Sequence, residues 1–558
     1  MRTSDHTYPP NSPTSALRLR RQKRRLSPVL AAVPLLFLAA QSPAENMYWN
    51  ANWVNFQNAG AWTTQKADAY PIEGAPVPIS GPSEWDTAYI VNFGGKETSA
   101  YLDSFDVTVG SLVSANCQNA HIRFPRAKEE TANFEVKNAL KILAGKSTRS
   151  ILMFDTSDQS TGTFDRVTYK FGSIEIGTSS YDGATPGSYA YNLLDIGMPS
   201  RSAYGELAVS GDVTIGGHPA DSGQMENWLY LRMDKTTIGG VLRMQSDGDG
   251  WSNIRNYRDG AVIEVGGLQT AGKSNISIYN EIGSGASSTL VFKNAEGTDY
   301  FFEGSISDFG NQSSEMQSSQ KLDIVMDGAG TQRIHTFNSQ QWDGSVQYAR
   351  QSGSVTVKSG RLFFSNSSVK SNLRQGTLAL DGGTFGAESK GGVAYFKSAE
   401  FRSGAIAVEN HDSLAAFAPD GKIVIAESLS KTGSEKIKID FSNAAGESFN
   451  PENYELPLAE YGTRYSEIED WAEILTAADL TGFDLVETES ENAFDAARDF
   501  AGIGLENAIA VFRWVKDENG YSLQAAFTQV PEPAASAAII GFLSLASAAW
   551  RKLNGNKM

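Results

Sequence analysis

From about residue 100 to residue 450 the chain alternates apolar and polar residues with a period of two, and no amphipathic helix breaks the run. Phe105, Val107 and Val109 alternate with Asp106 and Thr108, and the pattern returns at Leu207–Val209, Val213–Ile215, Val262–Val265, Ile276–Ile278 and Leu290–Phe292. Within it a unit Gly-x-φ-x-φ recurs, where φ is apolar, starting at Gly353, Gly376, Gly404 and Gly421. Each unit offers one apolar face too short to bury itself, so it must stack on the next. The starts lie 23, 28 and 17 residues apart, roughly one turn of a solenoid. Turns between units are rich in Gly, Asn, Asp and Ser, as in Asp381-Gly382-Gly383. The expectation is an all-β chain, a right-handed parallel β-helix or solenoid over residues 101–450. Because the spacing is irregular, an array of β-sandwiches is the competing arrangement.

Two flanking regions read differently. Trp49, Trp53, Trp62 and Trp85 crowd residues 45–100 among Asn, Gly and Pro. They serve either as an aromatic cap on the open end of the stack or as a platform on which sugar rings stack, with Trp49, Trp53 and Trp62 as the carbohydrate-binding candidates. Over residues 451–528, Ser466-Glu-Ile-Glu469 is a capping box, which predicts a short helix carrying Ile468, Trp471, Ile474 and Leu475. Ala508–Val515 and Tyr521–Phe527 flank Asp517-Glu-Asn519-Gly520, a hairpin signal. This region is expected to be a small α/β C-terminal cap.

The ends carry addresses. A basic cluster at 18–25 precedes the apolar run Val29–Ala40 and then Ser42-Pro43-Ala44, the order of a signal peptide over residues 1–44 cleaved after Ala44. Whole, the chain has 47 Lys+Arg against 64 Asp+Glu, a net charge of −17; without residues 1–44 it has 40 against 63, or −23. So acidic a chain is a poor partner for nucleic acid. At the other end Pro531-Glu532-Pro533 precedes an uncharged stretch, Ala534–Trp550, and a basic pair, Arg551-Lys552. Seventeen residues reach about 25 Å as a helix, the short limit of a membrane span.

That trio, single span and basic pair over residues 529–558 resemble the PEP-CTERM sorting signal of Gram-negative bacteria. The resemblance implies handling by an exosortase, with processing near Pro531, Glu532 and Pro533 and a stop at Arg551 and Lys552. It also implies a route from the inner membrane to the cell surface or extracellular matrix, alongside exopolysaccharide or biofilm production. Contact with the membrane is then confined to the C-terminal span before processing. Gly353-Ser-Val-Thr-Val-Lys-Ser-Gly-Arg-Leu-Phe-Phe364 is similar to the strand repeat found beside autotransporters, which implies parallel β-helix rungs; Leu429–Phe441 is a looser copy.

Catalytic and cofactor signals are weak. Gly267–Ser274 fits the phosphate-loop pattern, but strand alternation follows where a helix N-terminus must cradle the phosphates. Asp247-Gly-Asp249-Gly250 lacks the remaining ligands of a calcium loop. His121, His218, His335 and His411 are scattered, and the single cysteine, Cys117, reads as a buried thiol. No motif calls for a cofactor or a metal. The expected function is a non-catalytic structural or adhesive surface protein, with extracellular polysaccharide as the candidate partner. The alternatives are a polysaccharide lyase or hydrolase built on a β-helix and a carbohydrate-binding adhesin.

Overall fold

The computed structural model describes residues 44–530 apart from short internal segments, the longest being 156–165, 309–319, 410–420 and 443–457. The described residues are all-β, and thirty-three strands join one large, mostly parallel sheet. Every alternating segment named above that lies among the described residues is a strand.

Parallel pairing places equivalent residues of successive strands side by side. One column runs Val107, Phe134, Tyr169, Leu207, Thr236, Ile263, Leu290, Ile324, Val355, Leu378, Ala399, Leu429, Leu480, each residue directly paired with the next. All but Leu480 are buried, and Thr236 is the single polar member. A second column, Leu112, Leu140, Ile174, Val213, Leu242, Leu268, and a third, Leu152, Leu194, Leu229, Ile254, Ile278, Ile306, pack with the first in one hydrophobic core. Burying each such side chain contributes about 1.5–3 kcal/mol. Buried polar residues continue the ladder: Asn192 donates to Asn227 at 2.9 Å, and Asn256 to Asn280 at 3.1 Å.

The glycine units resolve into two kinds. Ser354, Thr377 and Ser398 pair in sequence, so Gly353 and Gly376 are followed at the equivalent position by Lys397, not by Gly404. Gly404 sits instead in the middle of strand Ser398–Ala407 with φ of 111°, next to Gly382 at 121° and Gly383 in the strand before. A Cβ on Gly404 would lie 2.4 Å from the Gly383 carbonyl oxygen, so the strand turns there only as glycine. The spacing is irregular because loops of different length separate strands whose pairing is regular.

Both ends switch to antiparallel pairing. Asn46–Trp49 lies parallel to Thr87–Tyr101 and antiparallel to Trp62–Thr63. At the other end Ala508–Asp517 and Gly520–Gln529 form the expected hairpin, closed by Asn519 N–H donating to Asp517 Oδ1 at 2.7 Å. The expected helix does not form. A single 3-10 turn, Tyr465–Glu467, has no side-chain cap, and Ala472–Thr481 is a strand between Lys422–Lys431 and Gly520–Gln529. Two waiting strand edges outweigh a local helix signal. A register shift beside Leu475 lets both Ile474 and Leu475 turn inward. Among the described residues no helix is long and apolar enough to cross a membrane; the expected sorting span lies outside them.

Candidate functional site

Strands Arg149–Asp155, Tyr189–Ile196, Gln224–Leu231, Trp251–Asn256 and Ile276–Asn280 lie side by side in parallel. Their inward residues form the third core column. Their other face sets aromatic rings and arginines among aliphatic and polar side chains. Register sets Leu193 beside Trp228, and Tyr230, Arg255 and Tyr279 in one row. The Arg255 guanidinium lies 4.2 Å from the Trp228 ring, 5.4 Å from Tyr230 and 5.2 Å from Tyr279. Arg232 stacks on Tyr257 at 4.1 Å while holding Asp195 through two bonds of 2.8 and 3.0 Å. Tyr230 and Tyr257 meet edge to face at 5.2 Å, and the Tyr191 and Tyr230 hydroxyls are 3.4 Å apart.

Trp228, Ile151, Leu193 and Tyr279 form a buried cluster of their own, while Tyr191, Tyr230, Tyr257 and Arg255 remain partly accessible. Burial drives the Tyr230 and Tyr279 phenols far above their ordinary value, so both are neutral hydrogen-bonding groups at physiological pH. Partly exposed phenol rings beside guanidinium groups offer both apolar contact area and hydrogen-bond donors and acceptors on one face.

A second cluster gathers acids. Arg333 binds both oxygens of Glu409 at 2.7 and 2.8 Å, Glu388 at 3.3 Å and Asp299 at 3.1 Å, and stacks on Phe363 at 4.3 Å. Arg361 pairs with Asp440 at 3.0 Å. Glu388 and Glu409 follow adjacent strands and are buried, so the arrangement is a carboxylate cluster organised around one guanidinium. Asp308, equally buried, accepts from the Ser352 N–H and hydroxyl at 2.7 and 2.6 Å and from Leu322 N–H at 2.9 Å; burial raises its carboxyl.

The residues singled out in the sequence fall as follows. Trp49 and Trp62 are 0% and 1% exposed, set edge to face at 5.1 Å and packed on Phe56, so neither presents a ring to a sugar. Their indole N–H groups donate inward, Trp49 to Thr98 Oγ1 at 3.0 Å and Trp62 to the Phe56 carbonyl at 2.6 Å. Trp85 is half exposed, beside Lys137. Trp53 lies outside the described residues, as do Pro531, Glu532, Pro533, Arg551, Lys552, His218, His411 and Asp247–Asp249. Ala44 is described and exposed. Cys117 is fully buried, its thiol pushed up to about 12 by burial. The phosphate-loop match is carried by strand Val262–Ala271, and the next described element, Ile276–Asn280, is again a strand. Among the described residues no group of three or more His, Cys, Asp or Glu side chains is placed to hold a metal ion.

The aromatic–arginine face was overlooked in the sequence although a trace of it is visible there. In Trp228-Leu-Tyr230-Leu-Arg232 every position alternating with the core leucines is aromatic or arginine, and in Trp251-Ser-Asn-Ile-Arg255-Asn-Tyr257 three of the four positions on that face are, Asn253 being the exception. No family model matches the chain, and no curated protein matches it.

Proposed function

We propose that this chain is an exported surface protein, cleaved after Ala44 and sorted at Pro531-Glu532-Pro533 by an exosortase-type system, that serves the exopolysaccharide layer as a non-catalytic structural or adhesive component. In this reading the parallel strands wind as a right-handed β-solenoid, and the outward aromatic–arginine face is the adhesive element. The observation that carries the reading is that face, built across five neighbouring strands around Tyr191, Trp228, Tyr230, Arg255 and Tyr257. With a charge near −23 the exported chain repels anionic polymers in low salt. Its glycan partner is therefore neutral, or anionic only where divalent cations bridge the two.

The test is a glycan-array measurement on the processed protein, after mass spectrometry has located its termini. Neutral glycans are retained, and Tyr230→Ala or Tyr257→Ala weakens retention about fivefold each, the worth of roughly 1 kcal/mol per lost aromatic contact. Trp49→Ala and Trp62→Ala lower the melting temperature and leave the affinity of the folded fraction unchanged. Equal retention by the tyrosine variants refutes the assignment. A second reading, a polysaccharide-active enzyme, draws on Glu388 and Glu409, which follow adjacent strands. Release of oligosaccharides by the purified protein, abolished by Glu409→Gln, would install it in place of the first.

A further inference from the structure

The first strand begins against a buried acid. The Glu45 backbone N–H donates to Asp86 Oδ1 at 2.9 Å, while Asp86 Oδ2 accepts from the Ser83 N–H at 2.8 Å and the Ser83 hydroxyl at 2.6 Å. Asp86 is 7% exposed. The Thr87 N–H donates to the Glu45 carbonyl at 2.9 Å, and Asn46 pairs with Thr87, so the acid sits at the origin of the parallel pairing. Eight acids are buried among the described residues. Six of them face an arginine or lysine: Asp195, Asp308, Glu388, Glu409, Asp440 and Asp499. Asp86 faces three neutral donors, and one of these is the nitrogen that cleavage after Ala44 would set free.

We propose that Asp86 is the receptor for the α-ammonium group that export processing creates at Glu45, so that cleavage converts a neutral hydrogen bond into an ion pair locking strand Asn46–Trp49. The inference rests on the assignment of Ala44 as the cleavage position. In the hydrolysis, catalysed by a signal peptidase, the bond between the Ala44 carbonyl carbon and the Glu45 nitrogen breaks. The hydroxyl of water goes to that carbon and its hydrogen to the nitrogen. At neutral pH the new carboxyl releases a proton and the new amine takes one up. The nitrogen keeps its place, 2.9 Å from Asp86 Oδ1, and gains a full charge. Charge-assisted hydrogen bonds are about twice as strong as neutral ones, and a poorly solvated acid gains most from a cationic partner. The strand so held carries Met47, Tyr48 and Trp49 into the core, so processing would tighten the N-terminal cap.

The experiment compares wild type and Asp86→Asn in two forms, the processed protein from the export fraction and the full chain retaining residues 1–44. Amide hydrogen exchange is read at Asn46–Trp49 and Thr87–Tyr89. The lock predicts that Asp86→Asn speeds exchange at these amides at least tenfold in the processed protein and less than threefold in the full chain. A processed chain with one extra residue before Glu45, which keeps the amide and displaces the ammonium, should behave like the full chain. Equal effects of Asp86→Asn in both forms, with Glu45 confirmed as the terminus by mass spectrometry, overturn the lock and leave the cleavage assignment standing. A terminus other than Glu45 overturns the cleavage assignment, and the lock with it.

Discussion

Truncating Leu378 should open a defect confined to the strands that flank it. The side chain is 1% exposed and lies in the first core column between Val355 and Ala399. Leu→Ala in a core costs about 2–5 kcal/mol, the lost transfer free energy plus the residual cavity. Here the upper part of that range, about 3–5 kcal/mol, applies. Neighbouring strands are held about 4.8 Å apart by their backbone ladder and cannot close over the gap, and the neighbour on one side is already as small as alanine. A loss of about 3–5 kcal/mol corresponds to exchange faster by roughly two to three and a half powers of ten. Thr377, next along the strand, is exposed, so Thr377→Val should stay within about 0.5 kcal/mol. Stacked strands need not unfold as one unit, so the assay is hydrogen exchange resolved by peptide rather than a single melting curve. Protection should fall in Ser354–Ser365, Thr377–Ala387 and Ser398–Ala407 and hold in strands near Ser111–Arg123. Equal effects of the two substitutions would refute the inward and outward assignment; a loss spread evenly over the chain would refute the local coupling.

Two further outcomes follow from buried titratable groups. Cys117 is the only thiol, is fully buried and stays protonated up to about pH 12, so a disulfide reagent at pH 8 should titrate no thiol in the native protein and one in denaturant. A native protein that reacts at the free-thiol rate would place Cys117 at the surface. Burial raises the Tyr70 phenol to about 12 from an ordinary value of 10.0, so its neutral form favours the folded state. That contribution is complete below pH 10 and is lost as the pH rises through 12. Ultraviolet titration should show this tyrosine ionising about two units late, and Tyr70→Phe should flatten the stability profile between pH 10 and 12; an unchanged profile would exclude it.

Strands were legible from the sequence because their cause is local. Val355-Thr-Val357 and Leu378-Ala-Leu380 alternate, and a strand sends successive side chains to opposite faces whatever its partner is. The hairpin around Asp517–Gly520 was legible for the same reason, since turn chemistry lies within four residues. The equivalence of Gly404 with Gly376 was misread, because equivalence depends on pairing and the loops between strands hide it. The Ser466–Glu469 signal pointed to a helix, yet Ala472–Thr481 is a strand because edges contributed by residues 422–431 and 520–529 take up its backbone groups.

The candidate site divides along the same line. Sequence alone determined the acidic balance and the all-β character, each a property of composition or of contiguous residues. Tertiary structure alone decided that Trp49 and Trp62 point inward, and that Tyr191, Trp228, Tyr230, Arg255 and Tyr279, spread over 89 positions, meet on one face. The physical reason is that a parallel ladder sets neighbours by register across connections of any length. Alternation along one strand says which residues share a face, but only the hydrogen-bonded pairing says which strand lies beside it.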